Sequence, residues 1–179
     1  MAGYEVQVSF SLQEKGTDMT IRSATMLDTE KITAVHKASI EILCSECYAP
    51  NDIAGWVEVL SPGIYENAIR EKVMIVAEDG DEILGLGILD LENKEIRAVY
   101  VHPRVKGMGI GKRLLLELEA NASENNVDRL TLCSTINALG FYKHHGYTME
   151  SKTFHELPNG VKLECIRMHK AMNIKDKTF

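Results

Sequence analysis

The sequence predicts a mixed α/β (α+β) fold in a single domain, and three observations predict it. Runs with apolar alternation at period two trade places with runs of helical spacing along most of the 179 residues. Three β-rich runs, KVMIVAED, EILGLGILDL and KEIRAVYVHP, are separated only by turn-forming DGD and ENK, the pattern of an antiparallel meander. A glycine-rich stretch, KGMGIGKRLL, then joins the last of these strands to a leucine-rich helical pattern. Composition agrees, since 45% apolar and 26% charged residues are ordinary globular values and do not suggest disorder.

The elements follow in order. YEVQVSFSL sets Tyr4, Val6, Val8, Phe10 and Leu12 on one side, an extra edge strand within an N-terminal extension, residues 1–18. The main domain runs over 19–172, with a short tail at 173–179. DMTIRSAT reads as a short strand. DTEKITAVHKASIEILCSECY reads as a helix capped by Asp28, with Ile32, Val35, Ala38 and Ile42 on its apolar face. PNDIAGWVEVL is a second helix with an Asn–Asp cap, broken by Pro62 and Gly63. After the meander, GIGKRLLLELEANASENN is a long helix with Ile110, Leu114, Leu115 and Leu118 inward. VDRLTLCS is a strand, NALGFYKHH a short helix, and two last strands meet across PNG, a hairpin signal.

Several function classes are disfavoured. A net charge of −6 argues against nucleic acid, whose phosphates call for a basic face, and suits a cationic substrate. No stretch approaches the roughly 18 apolar residues of a membrane-spanning helix, and the first residues do not resemble a signal peptide. Four cysteines do not form a disulfide framework in a domain of this size, so a reducing cytoplasm is the simplest home. Cys44 and Cys47 make a C-x-x-C, but a zinc site would want a second close pair, and Cys133 and Cys165 stand far off in the chain. Two reduced thiols and no metal are expected.

The glycine stretch fails two phosphate-loop patterns. A Walker A loop ending at Gly111–Lys112 would need glycine where Lys106 stands and a hydroxyl where Arg113 stands. A dinucleotide fingerprint from Gly107 would need glycine at Lys112. What remains is a strand, a glycine turn and a helix start. Free N–H groups at such a start carry about half a positive charge, and glycine lets a pyrophosphate approach them. Arg104, Lys106, Lys112 and Arg113 add full charges.

Arg104-x-x-Gly107-x-Gly109 resembles the Q/R-x-x-G-x-G/A signature of the GNAT superfamily of N-acetyltransferases. VYVHP before it looks like that family's fourth strand, and NALGFYKHHGY resembles its A-x-x-x-Y-x-x-x-G-[FY] segment, with Ala138, Tyr142, Gly146 and Tyr147 in place. The resemblance covers about Met19 to Met172. It implies a central, mostly antiparallel twisted sheet with a splayed parallel strand pair, flanked by about four helices. It also implies acetyl-coenzyme A as cosubstrate. Val99, Tyr100 and Val101 would offer backbone bonds to the pantetheine arm. Amides from Gly107 through Met108, Gly109, Ile110 and Gly111 to Lys112 would hold the pyrophosphate, with Arg104 and Lys106 beside them. The first two helices would line the acceptor side, setting Tyr48 and Trp56 near the substrate.

Chemistry assigns the remaining roles. An alkylamine with pKa near 10.4 is only about 0.04% neutral at pH 7, so a base helps it attack a thioester. Glu95, opening the fourth strand, is the first choice, with Glu92 and His102 as alternatives. Tyr142 matches the family tyrosine that protonates the departing thiolate. Backbone N–H near Tyr100 or Val101 would meet the oxyanion. Two positions depart from the family pattern. Thr135 stands where an asparagine usually touches the cofactor, and Asn137 could supply that contact or cap the short helix; Lys106 replaces a usual arginine. The expected activity is direct acetyl transfer to a primary amine, on a small molecule or a peptide. The alternative is a catalytically silent acyl-CoA-binding regulatory module. A homodimer through the N-terminal edge strand is left open.

Overall fold

The structure, a computed structural model, describes residues 19–172. The strand expected over 4–12 and the tail at 173–179 lie outside those residues. In chain order the elements are β1 Thr20–Ser23, α1 Thr29–Leu43, α2 Pro50–Glu58, α3 Pro62–Glu71, β2 Val73–Asp79, β3 Glu82–Asp90 and β4 Glu95–Val101. Then come α4 Ile110–Glu124, β5 Arg129–Ser134, α5 Leu139–His144, β6 Thr148–Glu156 and β7 Lys162–Ala171.

One seven-stranded sheet has the order β1-β2-β3-β4-β5-β7-β6. All neighbours are antiparallel except β4 and β5, which are parallel and joined through α4. The predicted meander and final hairpin are there. In the hairpin turn Leu157 N–H bonds Val161 O at 2.8 Å, and Gly160 takes the left-handed conformation with φ 84°.

Each face of the sheet has its own core. On one, Leu114, Leu115 and Leu118 of α4 are fully buried against Leu130, Leu132 and Met168. Here β3 must be glycine-rich: a Cβ at Gly85 would stand 2.9 Å from Leu114 Cδ1, and one at Gly87 would stand 3.0 Å from Leu118 Cδ1. The helix therefore lies directly on the strand, which sets the height of its N-terminus over the end of β4. On the other face, Ile32 and Val35 of α1 pack with Tyr65 of α3 on Val76 and Leu86.

Four local expectations are corrected. The described residues hold five α-helices rather than about four, because Pro62 does not simply end α2: it starts α3 as its first residue, after an extended Ser61. α2 itself begins with Pro50 at the first turn, so Asn51 and Asp52 lie inside the helix and Ala49 is the cap residue. Asp28 precedes α1, but its carboxylate does not cap it; it accepts Thr25 N–H at 2.7 Å and pairs with Arg22 Nη1 at 2.8 Å. On α1 it is Ile40, at 0% exposure, that faces the core, whereas Ile42 is 60% exposed.

Candidate active site

β4 runs into a short 3-10 turn, Pro103–Val105, and then into the glycines. Gly107 and Gly109 both have positive φ, 82° and 80°, where any other L-residue loses about 1–2 kcal/mol. Gly109 is the N-cap of α4, and the first helical bond is Arg113 N–H to Gly109 O at 3.1 Å. The N–H groups of Ile110, Gly111 and Lys112 are therefore left without a helical partner. A Cβ at Gly107 or Gly109 would meet nothing within 4 Å, so the rim is open on that side.

The set of donors is narrower than the sequence expectation. Lys106 N–H bonds Pro103 O at 3.1 Å and Met108 N–H bonds Val105 O at 3.2 Å, which removes those two amides. Gly107, Gly109, Ile110, Gly111 and Lys112 remain. The cations divide as well. Arg104 is drawn onto Glu82, and Arg113 donates to Met19 O at 3.1 Å. Lys106 and Lys112 are exposed and have no ion-pair partner among the described residues.

β4 and β5 are paired only at Glu95 with Thr131 and Ile96 with Leu132. Beyond that they part, and a narrow cleft opens between them. It is lined by Arg97, Ala98, Val99 and Tyr100 on one side and by Cys133, Thr135 and Tyr142 on the other. A β-bulge starts the separation: Ile88 pairs with Ala98 and Leu89 with Ile96, so Arg97 has no opposite residue. His102 N–H bonds Leu84 O at 2.8 Å, and the ladder alternates from there. By that alternation Tyr100 bonds toward β3, while Val99 and Val101 turn their N–H and C=O groups into the cleft. The side chains alternate too: Val99 and Val101 pack under α4, and Tyr100 faces α1 and α2.

Tyr142, on α5, is 6% exposed. Its ring packs edge-on against Tyr147 at 5.6 Å and Phe141 at 5.1 Å. Burial holds its phenol well above the ordinary value, so it keeps its proton at neutral pH. No hydrogen bond to a described residue occupies the hydroxyl, and the residue lines the cleft.

The other candidates are distributed as follows. Glu95 stands at the closed end of the fork, with its carboxylate 3.0 Å from Arg97 Nη1. Glu92 is exposed in the β3–β4 turn, and His102 Nδ1 accepts Arg104 N–H at 3.2 Å. Asn137 lies in the 3-10 turn before α5. Tyr48 is a bolt: its hydroxyl donates to Glu164 O at 2.7 Å and accepts Ile136 N–H at 3.1 Å. Trp56, 7% exposed, stands edge-on to Tyr48 at 5.7 Å and to Tyr100 at 6.4 Å, behind the tyrosine that lines the cleft.

Sequence reasoning passed over three neighbours of the site. The Arg97 bulge carries no glycine or proline to announce it. Cys133 shows only as one residue of a strand. His36 stacks on Tyr100 at 3.8 Å and its Nδ1 meets Tyr65 OH at 2.8 Å, while Nε2 is buried without a partner among the described residues. The alternation of an apolar helix face with one embedded histidine is its sole signal. All four cysteines are free, and among the described residues no group of three or more His, Cys, Asp or Glu could hold a metal.

The sequence model of an acetyltransferase (GNAT) domain matches residues 44–170. Among solved structures, a GCN5-related N-acetyltransferase from Rhodopseudomonas palustris superposes with a TM-score of 0.81 at 23% identity, over 86% of this chain and 95% of that one. The PaiA N-acetyltransferase of Thermoplasma acidophilum, in complex with coenzyme A, gives 0.73 at 22% identity, over 86% and 98%. An uncharacterized N-acetyltransferase of Prochlorococcus marinus is 29% identical over 73 residues, 41% of this chain and 36% of that protein. One from Gracilaria tenuistipitata is 30% identical over 70 residues, 39% and 35% respectively. The match thus spans about a third of the length of those two curated relatives.

Proposed function

The chain belongs to the acetyltransferase (GNAT) family, and on that premise we propose that it moves the acetyl group of acetyl-coenzyme A directly onto a primary amine, without an acetyl-enzyme intermediate. The observation that carries this reading is the meeting, at one end of the sheet, of an open rim of unpaired α4 amides with the β4–β5 fork. The residues fit the cosubstrate. Gly107 and Gly109 through Lys112 would hold the diphosphate by main-chain N–H, with Lys106 and Lys112 adding charge. The backbone groups of Val99 and Val101 would bond an extended amide chain as a neighbouring strand does. When bound, acetyl-coenzyme A supplies an activated thioester.

The protein's own groups then have defined tasks. Val99 or Val101 N–H, already aimed into the fork, would meet the negative charge that develops on the acyl oxygen. This replaces Tyr100, whose N–H is spent on β3. Tyr142 would give its proton to the departing thiolate, whose conjugate acid has a pKa of about 8.5. Glu95 is the proposed base, with Arg97 orienting its carboxylate. The acceptor would enter from the α1–α2 side, where Tyr100 forms the wall that Trp56 and Tyr48 support. Residues 19–172 would make up the catalytic domain. Four free thiols suit a reducing cytoplasm.

The test is a panel of amines, small-molecule and peptidic, with free thiol as readout. Thiol release above spontaneous hydrolysis with at least one amine is expected. Tight coenzyme A binding with no release for any acceptor would favour a silent binding module instead.

A further inference from the structure

The cleft holds a second group able to react with sulfur. Cys133 is half-buried on β5 and lines the same narrow opening as Tyr142. Two observations point to a ligand there. Tyr142 is more than nine-tenths buried as a residue, its hydroxyl has no hydrogen-bond partner among the described residues, and it borders the cleft. The opening itself is small, about 30 Å³, and Tyr142 and Cys133 both line it. A neighbour favours a single product. Cys133 stands opposite Arg167 on β7, diagonal to Cys165. Burial and Cys133 push the Cys165 thiol upward, so Cys165 stays protonated and does not readily displace a partner from Cys133.

Resting on the functional reading above, we infer that Cys133 is a site of mixed-disulfide formation with coenzyme A, positioned by the same rim and fork that hold the cosubstrate. With coenzyme A disulfide as oxidant the step balances. The Cys133 thiolate attacks one sulfur of the disulfide, the S–S bond breaks, and a Cys133–S–S–CoA bond forms. The other half leaves as coenzyme A thiolate and takes up the proton that Cys133 lost. The modified protein carries its own cofactor in the cleft and is closed to acetyl-coenzyme A until a thiol reduces it. The C-x-x-C takes no part: neither Cys44, buried at the end of α1, nor Cys47 lines the cleft.

The experiment starts with calorimetry of reduced full-length protein and coenzyme A. Absence of binding overturns the functional reading and this inference together. With binding established, the protein is incubated with coenzyme A disulfide or, in parallel, with glutathione disulfide at equal concentration, and followed by intact mass and peptide mapping. One coenzyme A moiety on Cys133 is expected, forming about tenfold or more faster than the glutathione adduct, because docking raises the local concentration of the sulfur. Excess acetyl-coenzyme A should slow it, Cys133→Ser should abolish it while retaining coenzyme A binding, and Cys47→Ser should leave it unchanged. Binding of coenzyme A with equal rates for the two disulfides, or with labelling confined to Cys44 and Cys47, overturns the inference and leaves the functional reading standing.

Discussion

The two faces of the sheet are built from different chemistry. Under α4 the packing is aliphatic and complete: Leu114, Leu115, Leu118, Leu130 and Met168 all have 0% exposure, and β3 gives up side chains at Gly85 and Gly87 to bring the helix closer. Under α1–α3 aliphatic residues share the core with aromatic rings and polar groups. His36, Tyr65, Tyr100, Tyr48 and Trp56 form a chain of ring contacts, edge-on at Trp56, and His36 Nε2 lacks a partner among the described residues. The first face fixes where the amide rim stands relative to the fork, a task served by shape alone. The second holds groups that hydrogen-bond, and so can distinguish one acceptor from another. On the proposed function, the first face would serve the cosubstrate and the second the acceptor.

The comparison can be broken first at the rim. Gly109→Glu combines a left-handed backbone position with a carboxylate at the diphosphate, and affinity for coenzyme A should fall by about 100-fold or more by calorimetry. Unchanged affinity would detach the cosubstrate from the α4 face. Next, Leu118→Ala should destabilise by about 2–5 kcal/mol in urea melts, since the residue is fully buried among closely packed neighbours. A much smaller loss would mean that α4 is not packed as tightly as the β3 glycines imply.

At the fork, Tyr142→Phe should lower kcat about 100-fold with little change in coenzyme A affinity, because only the proton donor is lost. Equal kcat in the two proteins would remove the acid role.

The α1–α3 face predicts a pH effect. Burial pushes the His36 imidazole down to about 3, below its ordinary value near 6.5, and the groups packed on it are the Tyr65 hydroxyl and the Tyr100 ring. The unfolded chain therefore binds a proton that the folded one refuses between those values. The stability contribution is complete above pH 6.5 and is lost as pH falls toward 3, by up to about 1.4 kcal/mol per unit. In His36→Phe that part of the slope should vanish; parallel slopes from pH 7 to 4 would show that the imidazole titrates freely. The smallest effect belongs to Tyr48→Phe, about 1 kcal/mol of stability from two lost hydrogen bonds, with kcat far less affected than in Tyr142→Phe.

The aliphatic face is the part that periodicity can read. Ile110, Leu114, Leu115 and Leu118 recur at helical spacing and are all buried, and the alternating runs of the meander become β2, β3 and β4. The glycine turn is legible as well, because conformational need and residue type coincide there. The α1–α3 face resists reading for physical reasons. Tyr48 is fixed by Glu164, 116 residues away, and by Ile136, 88 residues away, and no local pattern encodes such pairs. The bulge at Arg97 is a mismatch between two strands rather than a property of one. α3 was hidden because proline at a helix start looks the same as proline at a helix end. Which amides of the turn are free depends on bonds inside it, such as Met108 N–H to Val105 O, that spacing does not reveal.

The most direct test of the central claim is a coenzyme A titration followed residue by residue through backbone amide resonances. The largest shifts should fall on Gly107, Gly109, Ile110, Gly111 and Lys112 and, within the fork, on Val99 and Val101, with Tyr100 N–H moving less because it stays bonded to β3. Saturable binding whose shifts cluster away from the start of α4, and leave those amides where they were, would contradict the account.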